Sequence, residues 1–332
     1  MHLSQVKDSY SKLKISTKLI ISSAVFLIPI VMLFSMMLFT HCAAVQKNAN
    51  QLGGIASLKP SVVAWQNLPD GFEAKYKNDA AGLKAVMDER INYWVPYWGN
   101  RVVEWDVVNE PFSGSAGWDI VGWDRIGEYV TQVKEMQPGM KTYINDWGCV
   151  IGGQAKQDNV YNLMKGLIDK GVPIDGLGMQ YYPDGSFNVG NAITNVQRFA
   201  ALGLDLKLTE YAYGQGQKKV PEDSVKAKDT SGLLLGMFSI KECKGFIYWG
   251  NFGPNGILNP NAELSEMGCA LAYFMYDKWW TNEAGTTGAD GTFGTRGYFG
   301  EYNITVTADG KTKTVPVKHL MYGNGNFEIN ID

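Results

Sequence analysis

The chain has 332 residues, 45% of them hydrophobic and 12% aromatic, with 30 Lys and Arg against 33 Asp and Glu for a net charge of −3. That length suits one large domain with an appendage, and the lack of a basic stripe argues against nucleic acid as a partner. Four cysteines without metal-ligand spacing (Cys42, Cys149, Cys243, Cys269) and three histidines near the chain ends (His2, His41, His319) argue against a His-rich metal site or a Ser-His-Asp centre, and nothing calls for a cofactor.

The first 44 residues read as a segment of their own. Lys7, Lys12, Lys14 and Lys18 precede an uncharged run, Leu19 to Phe39, "LIISSAVFLIPIVMLFSMMLF". At helical rise it spans about 30 Å, a bilayer core. The lysines favour a cytoplasmic N-terminus with the remainder exported, at the cell surface or outside it. A membrane anchor through residues 19–39 is the favoured reading. A signal segment cleaved near Ala43-Ala44 is the alternative, although its apolar core is usually shorter. Residues 45–60 read as a linker.

From Ser61 to about residue 280, short apolar strands alternate with amphipathic helices. "SVVAW" (61–65) is strand-like. Leu83, Val86, Met87, Ile91 and Val95 then follow at helical spacing, with Pro96 and Gly99 as stops. "VVEWDVV" (102–108) is the next strand, and a helix from Trp123 to Met136 ends at Pro138-Gly139. "KTYIN" (141–145) precedes a helix around Val160 to Ile168, capped by Gly171. "GLGMQ" (176–180), "LKLT" (206–209) and "GFIYW" (245–249) are three further strands. Helices at about 193–202, 227–240 and 263–276 follow them.

Alternation of this kind implies a parallel sheet covered by helices. Six strands end on polar or aromatic residues: Trp65-Gln66, Asn109-Glu110, Asn145-Asp146, Gln180-Tyr181, Glu210 and Trp249. Polar groups at C-terminal strand ends are the active face of a (β/α)₈ TIM barrel. The rival, a doubly wound sheet, lacks a Gly-rich phosphate loop. Residues 281–332 differ again, with turn signals at Ala289-Asp290-Gly291 and Asp309-Gly310, and read as a small β module.

Glu110 and Glu210 each close an apolar strand. Two carboxylates facing one cleft can hydrolyse a glycosidic bond, one protonating the leaving oxygen while the other attacks carbon or activates water. An isolated Glu at a strand end is more commonly a structural hydrogen-bonding group, so the pair alone does not decide. Ten Trp and 17 Tyr suit a sugar-facing surface, and a thick core explains them as well.

"WDVVNE", "INDWG", "IDGLGMQ", "LTE" and "GFIYWG" fall in this order over residues 61–280. Together they resemble glycoside hydrolase family 10, the endo-β-1,4-xylanase family. The resemblance implies a retaining mechanism on xylan, with Glu110 as general acid/base and Glu210 as nucleophile. It implies that Asn109, Gln180, Trp249 and Trp65 line the substrate subsite, and Tyr182 is counted with these substrate-binding residues. Asn145 and Asp146 are assigned equally well as loop caps.

Three departures from the family pattern stand out. Tyr182 occupies the place of a His, and Ala212 that of an Asp, which in the family form a hydrogen-bonded chain to the nucleophile. The Tyr182 or Tyr181 hydroxyl is expected to contact Glu210 instead. The family's first two strands have no counterpart before Ser61, so the barrel is expected to be incomplete at its N-terminal end. Another β-glycosidase of the same barrel group, or a non-catalytic carbohydrate-binding relic, are the alternative functions. The N-terminal segment resembles the anchor of a sensor protein more than a xylanase leader.

Overall fold

A computed structural model describes residues 71–332 except 114–116, 215–219, 250–252, 254, 321–322 and 332. The apolar run 19–39, the linker, the strand at 61–65 with Trp65, and Cys42 lie outside the described residues. Among the described residues no helix is long and apolar enough to cross a membrane. Two units divide at Ala270/Leu271.

The first unit opens with a short helix α1 (Phe72–Tyr76) and a long α2 (Ala80–Trp98). Asp79 caps α2 by accepting from the Gly82 N–H at 2.8 Å. Its buried face is Leu83, Met87, Ile91 and Val95, four of the five expected positions, with Val86 half-buried. Pro96 does not stop this helix: it lies inside the last turn, and Gly99, with φ 49°, ends it. Proline removes one backbone donor, and here that loss falls within a residue or two of the terminus.

Five β/α steps follow. They are β1 (Glu104–Asn109), α3 (Trp118–Val121) with α4 (Arg125–Met136), β2 (Lys141–Trp147), α5 (Gln154–Asp169) and β3 (Gly176–Tyr181). Next come α6 (Val189–Ala200), β4 (Asp205–Tyr211), α7 (Asp223–Phe238), β5 (Cys243–Tyr248) and α8 (Glu266–Tyr273). The helix expected from Trp123 begins at Arg125, because Gly122, at φ 92°, separates it from α3. The five strands form one parallel sheet in sequence order. Val107, Val108, Ile144, Leu177, Met179, Leu208 and Phe246 are buried in it. Each such side chain contributes roughly 1.5–3 kcal/mol by leaving water.

The sheet curls. Glu104 on β1 and Lys207 on β4 form an ion pair although two strands lie between them. Lys207 also lies over the Tyr143 ring of β2, 4.9 Å from its centroid. Such contacts need the two strands to bend toward each other, as in a barrel interior. Glycines make room inside: a Cβ on Gly176 would stand 2.0 Å from the Tyr143 ring.

The second unit carries a two-stranded antiparallel hairpin, β6 (Gly300–Ala308) and β7 (Lys311–His319). Asp309 and Gly310 both have positive φ, 50° and 75°, the backbone of a tight two-residue hairpin turn. Ile304 pairs with Val315 and Tyr302 with Val317 on one face.

Candidate active site

The C-terminal ends of the parallel strands gather a set of buried polar side chains: Asn109, Glu110, Asn145, Asp146, Gln180, Thr209 and Glu210. Polar groups are rarely buried without partners, and Asn109, Asn145, Gln180, Thr209 and Glu210 are linked to one another. Asn109 is in register with Asn145, and Gln180 with Glu210. Register shifts between Met179 and Gln180, and between Leu208 and Tyr211, lie beside the site. Such bulges re-aim side chains.

Asn145 is the hub. Its Nδ2 donates to Glu210 Oε1 at 3.0 Å and to Asn109 Oδ1 at 2.8 Å, and its Oδ1 accepts from Thr209 Oγ1 at 2.5 Å. Gln180 Nε2 donates to the same Asn109 oxygen at 3.1 Å. With both acceptor positions of Asn109 filled, its amide nitrogen is the group left to donate. Gly178 permits the crossing: a Cβ there would lie 2.5 Å from Asn145 Oδ1 and 2.9 Å from Thr209 Cγ2. Asn145 and Asp146 are therefore strand residues and not loop caps, and Asn145 with Thr209 binds Asn109 to Glu210. The signal in the sequence was a polar pair within the strand run "KTYINDW".

Glu110 follows β1 directly with φ 53°, a left-handed conformation that costs a non-glycine residue about 1–2 kcal/mol. The strained turn is held from both sides: its N–H donates to Asn145 O at 2.6 Å, and its carbonyl accepts from the Ser113 N–H at 3.0 Å. The carboxyl end of β1 is thus tied to β2 at the residue that carries the acid group.

Tyr182 donates its hydroxyl to Glu210 Oε2. The two oxygens of Glu210 thereby receive neutral donors from β2 and from the residue just past β3. Burial pushes the Tyr182 hydroxyl well above its ordinary range, and the negative charge of Glu110 acts in the same direction. Tyr181 does not make this contact; its ring lies edge-on to Phe187 and against Tyr211. Tyr182, expected among the substrate-binding residues, has its hydroxyl committed to Glu210.

Asp146 points the other way, toward α5. It is fully buried, and its Oδ1 accepts from Lys156 Nζ and from the Trp147 N–H, each at 2.8 Å, while Oδ2 has no partner. Burial raises its pKa from 3.8 to about 6, opposed by Lys156 and assisted by the Glu110 charge. The Glu110 charge thus acts on both Asp146 and Tyr182, and Tyr182 touches Glu210.

Trp249 follows β5, 39% exposed, with its backbone N–H donating to Tyr211 O at 2.8 Å. Trp147 stands 44% exposed at the end of β2, with the Lys156 ammonium 4.4 Å from its ring. Cys149, Cys243 and Cys269 are free thiols, and among the described residues no three His, Cys, Asp or Glu gather to hold a metal.

The family model for glycosyl hydrolase family 10 matches residues 48–256. Over 258 residues the chain is 27% identical to the anti-sigma-I factor RsgI6 of Acetivibrio thermocellus, covering 75% of this chain and 33% of that protein. Over 159 residues it is 34% identical to endo-1,4-beta-xylanase B of Thermotoga neapolitana, covering 46% of each. The chain thus spans about half or less of the curated relatives it matches. Among solved structures, native xylanase 10B from Thermotoga maritima superposes with TM-score 0.57 at 25% identity, over 66% of this chain and 74% of that one. The five described β/α steps are accordingly part of a (β/α)₈ barrel.

Proposed function

The chain belongs to glycosyl hydrolase family 10, and from that premise we propose that it cleaves internal β-1,4-xylosidic bonds of xylan by a retaining double displacement. Glu110 protonates the leaving oxygen in the first step and takes a proton from water in the second. Glu210 attacks the anomeric carbon and is held as a glycosyl ester between the steps. The Asn109 amide nitrogen, left free to donate, meets a sugar hydroxyl beside the reacting carbon. Gln180 holds Asn109 in place, and Trp249 and Trp65 contribute apolar walls.

The observation that carries this reading is the bridge through Asn145, which fixes Glu210 and the Asn109-Glu110 strand end to one another. The test is hydrolysis of an aryl β-xylobioside by wild type beside Glu210→Ala, with a 2-fluoro xylobioside to trap the ester. Activity lost in the variant and label on Glu210 support the proposal; equal rates in the two proteins refute it. Activity on cellulose without activity on xylan would instead point to another β-glycosidase of this barrel group.

A second reading is favoured by the longer match to an anti-sigma factor, 75% of this chain against 46% for the Thermotoga neapolitana xylanase. In it the barrel binds xylan on behalf of a regulatory protein and releases no sugar. Xylan binding without reducing-end release would select it. On either reading we propose residues 19–39 as a membrane anchor that places the barrel outside the cell, on the strength of the apolar run and its preceding lysines.

A further inference from the structure

We propose that Tyr182 acts chiefly in the second half of the reaction, as the hydrogen-bond donor that stabilises Glu210 when it is expelled from the glycosyl ester. The inference rests on the glycosidase reading and adds a division of labour between its two steps. Its starting point is that Asn145 and Tyr182 are donors of different kinds to Glu210. Asn145 Nδ2 shares itself between Glu210 and Asn109 at 3.0 and 2.8 Å, so its position is set by the network and not by the carboxylate. The Tyr182 hydroxyl has Glu210 Oε2 as its acceptor and comes from a residue outside the strand ladder.

A donor to a carboxylate has opposite effects on the two steps. In the first, Glu210 gives an electron pair to carbon and loses charge, so a hydrogen bond to the free anion slows attack slightly. In the second, a water oxygen bonds to the anomeric carbon and its proton passes to Glu110. The bond from carbon to the Glu210 oxygen breaks, and its electron pair returns to Glu210. Charge grows on that carboxylate as the step proceeds, and a donor already in place stabilises the transition state. The phenol keeps its proton throughout, because burial holds it protonated whether Glu110 is charged or neutral. Tyr182 therefore stabilises by hydrogen bonding without proton transfer and is a positioning residue.

Removing one hydrogen bond to a charged group lowers the step it supports roughly 10- to 100-fold. With an aryl xylobioside of good leaving group, Tyr182→Phe should show a burst of aryl release close to the wild-type rate. A slow steady state should follow, with kcat and KM falling together and kcat/KM little changed. Mass spectrometry of the quenched steady state should find the glycosyl ester on Glu210 in the variant. A matching melting temperature in the two proteins checks that the fold is intact. A loss in kcat/KM with no burst, or an unchanged kcat, would overturn the inference while leaving the glycosidase reading standing. A wild type that neither turns over the substrate nor is trapped would remove both.

Discussion

Asp146 offers the sharpest thermodynamic test of the site. Its carboxyl is fully buried, with one oxygen unpartnered, and its pKa rises from 3.8 to about 6, first through burial and then through the Glu110 charge. A carboxylate whose proton affinity is higher in the fold than in the unfolded chain works against stability once it ionises. Between pH 4 and pH 6 the native state holds the proton more tightly, so the stability contributed by this group falls as pH rises. The gap between 3.8 and about 6 corresponds to roughly 3 kcal/mol. Asp146→Asn keeps an oxygen for Lys156 Nζ and the Trp147 N–H and places an amide where the unpartnered oxygen stood. It cannot ionise, so its stability relative to wild type should grow by about 2.4 kcal/mol from pH 4 to pH 7. Urea unfolding at half-unit pH steps measures that difference, in which titrations common to both proteins cancel. Parallel stability curves would refute the reasoning and mean that water or a shifted Lys156 already satisfies the buried oxygen.

Gly178→Ala forces a Cβ to 2.5 Å from Asn145 Oδ1, and should cost about 1–3 kcal/mol in thermal or urea unfolding. Asn145→Ala removes a donor to Glu210, a donor to Asn109 and an acceptor for Thr209; it should destabilise by about 2 kcal/mol or more and lower kcat in an aryl xylobioside assay. Glu110→Gly relieves the left-handed backbone at φ 53°, so the melting temperature should rise, by an amount set by about 1 kcal/mol. The same variant should lose at least about a hundredfold in xylan hydrolysis measured by reducing ends. A variant that gains stability and keeps activity would separate the strained turn from the chemistry.

Much of the fold was legible because parallel strands bury both faces and so read as continuous apolar runs. "VVEWDVV", "GLGMQ" and "LKLT" each yielded a strand within two residues of its observed ends. Helix α2 was legible from its spacing, although Val86, placed in the stripe by sequence, is only half-buried, and Pro96 was overrated as a stop. The site was legible as a row of strand ends and not as a network. That Asn145 touches Glu210, 65 residues away, depends on the curl of the sheet, which single-strand patterns do not contain. The choice between Tyr181 and Tyr182 could have been made from sequence. Side chains alternate along a strand, so with Gln180 facing the polar interior, Tyr181 turns away and Tyr182 returns to it, as observed.

The two family positions that differ here are physically linked. In the family, a His at the place of Tyr182 is supported by an Asp at the place of Ala212, and an acid is useful there only if it has the imidazole to orient. A phenol needs no such partner, since it carries one proton and burial keeps it there. Retaining an Asp at position 212 would have left a carboxylate without its imidazole in a setting where Ala212 is buried and Tyr211 and Tyr213 flank it. A buried, unpaired carboxylate is among the costlier defects a fold can carry. A Tyr in the place of the His thus removes the use of the Asp, and this chain carries Ala212 where the acid would stand. What remains is a donor to Glu210 that does not titrate in the range where an imidazole would, so the hydrogen bond to the nucleophile persists across neutral pH without a charged relay behind it.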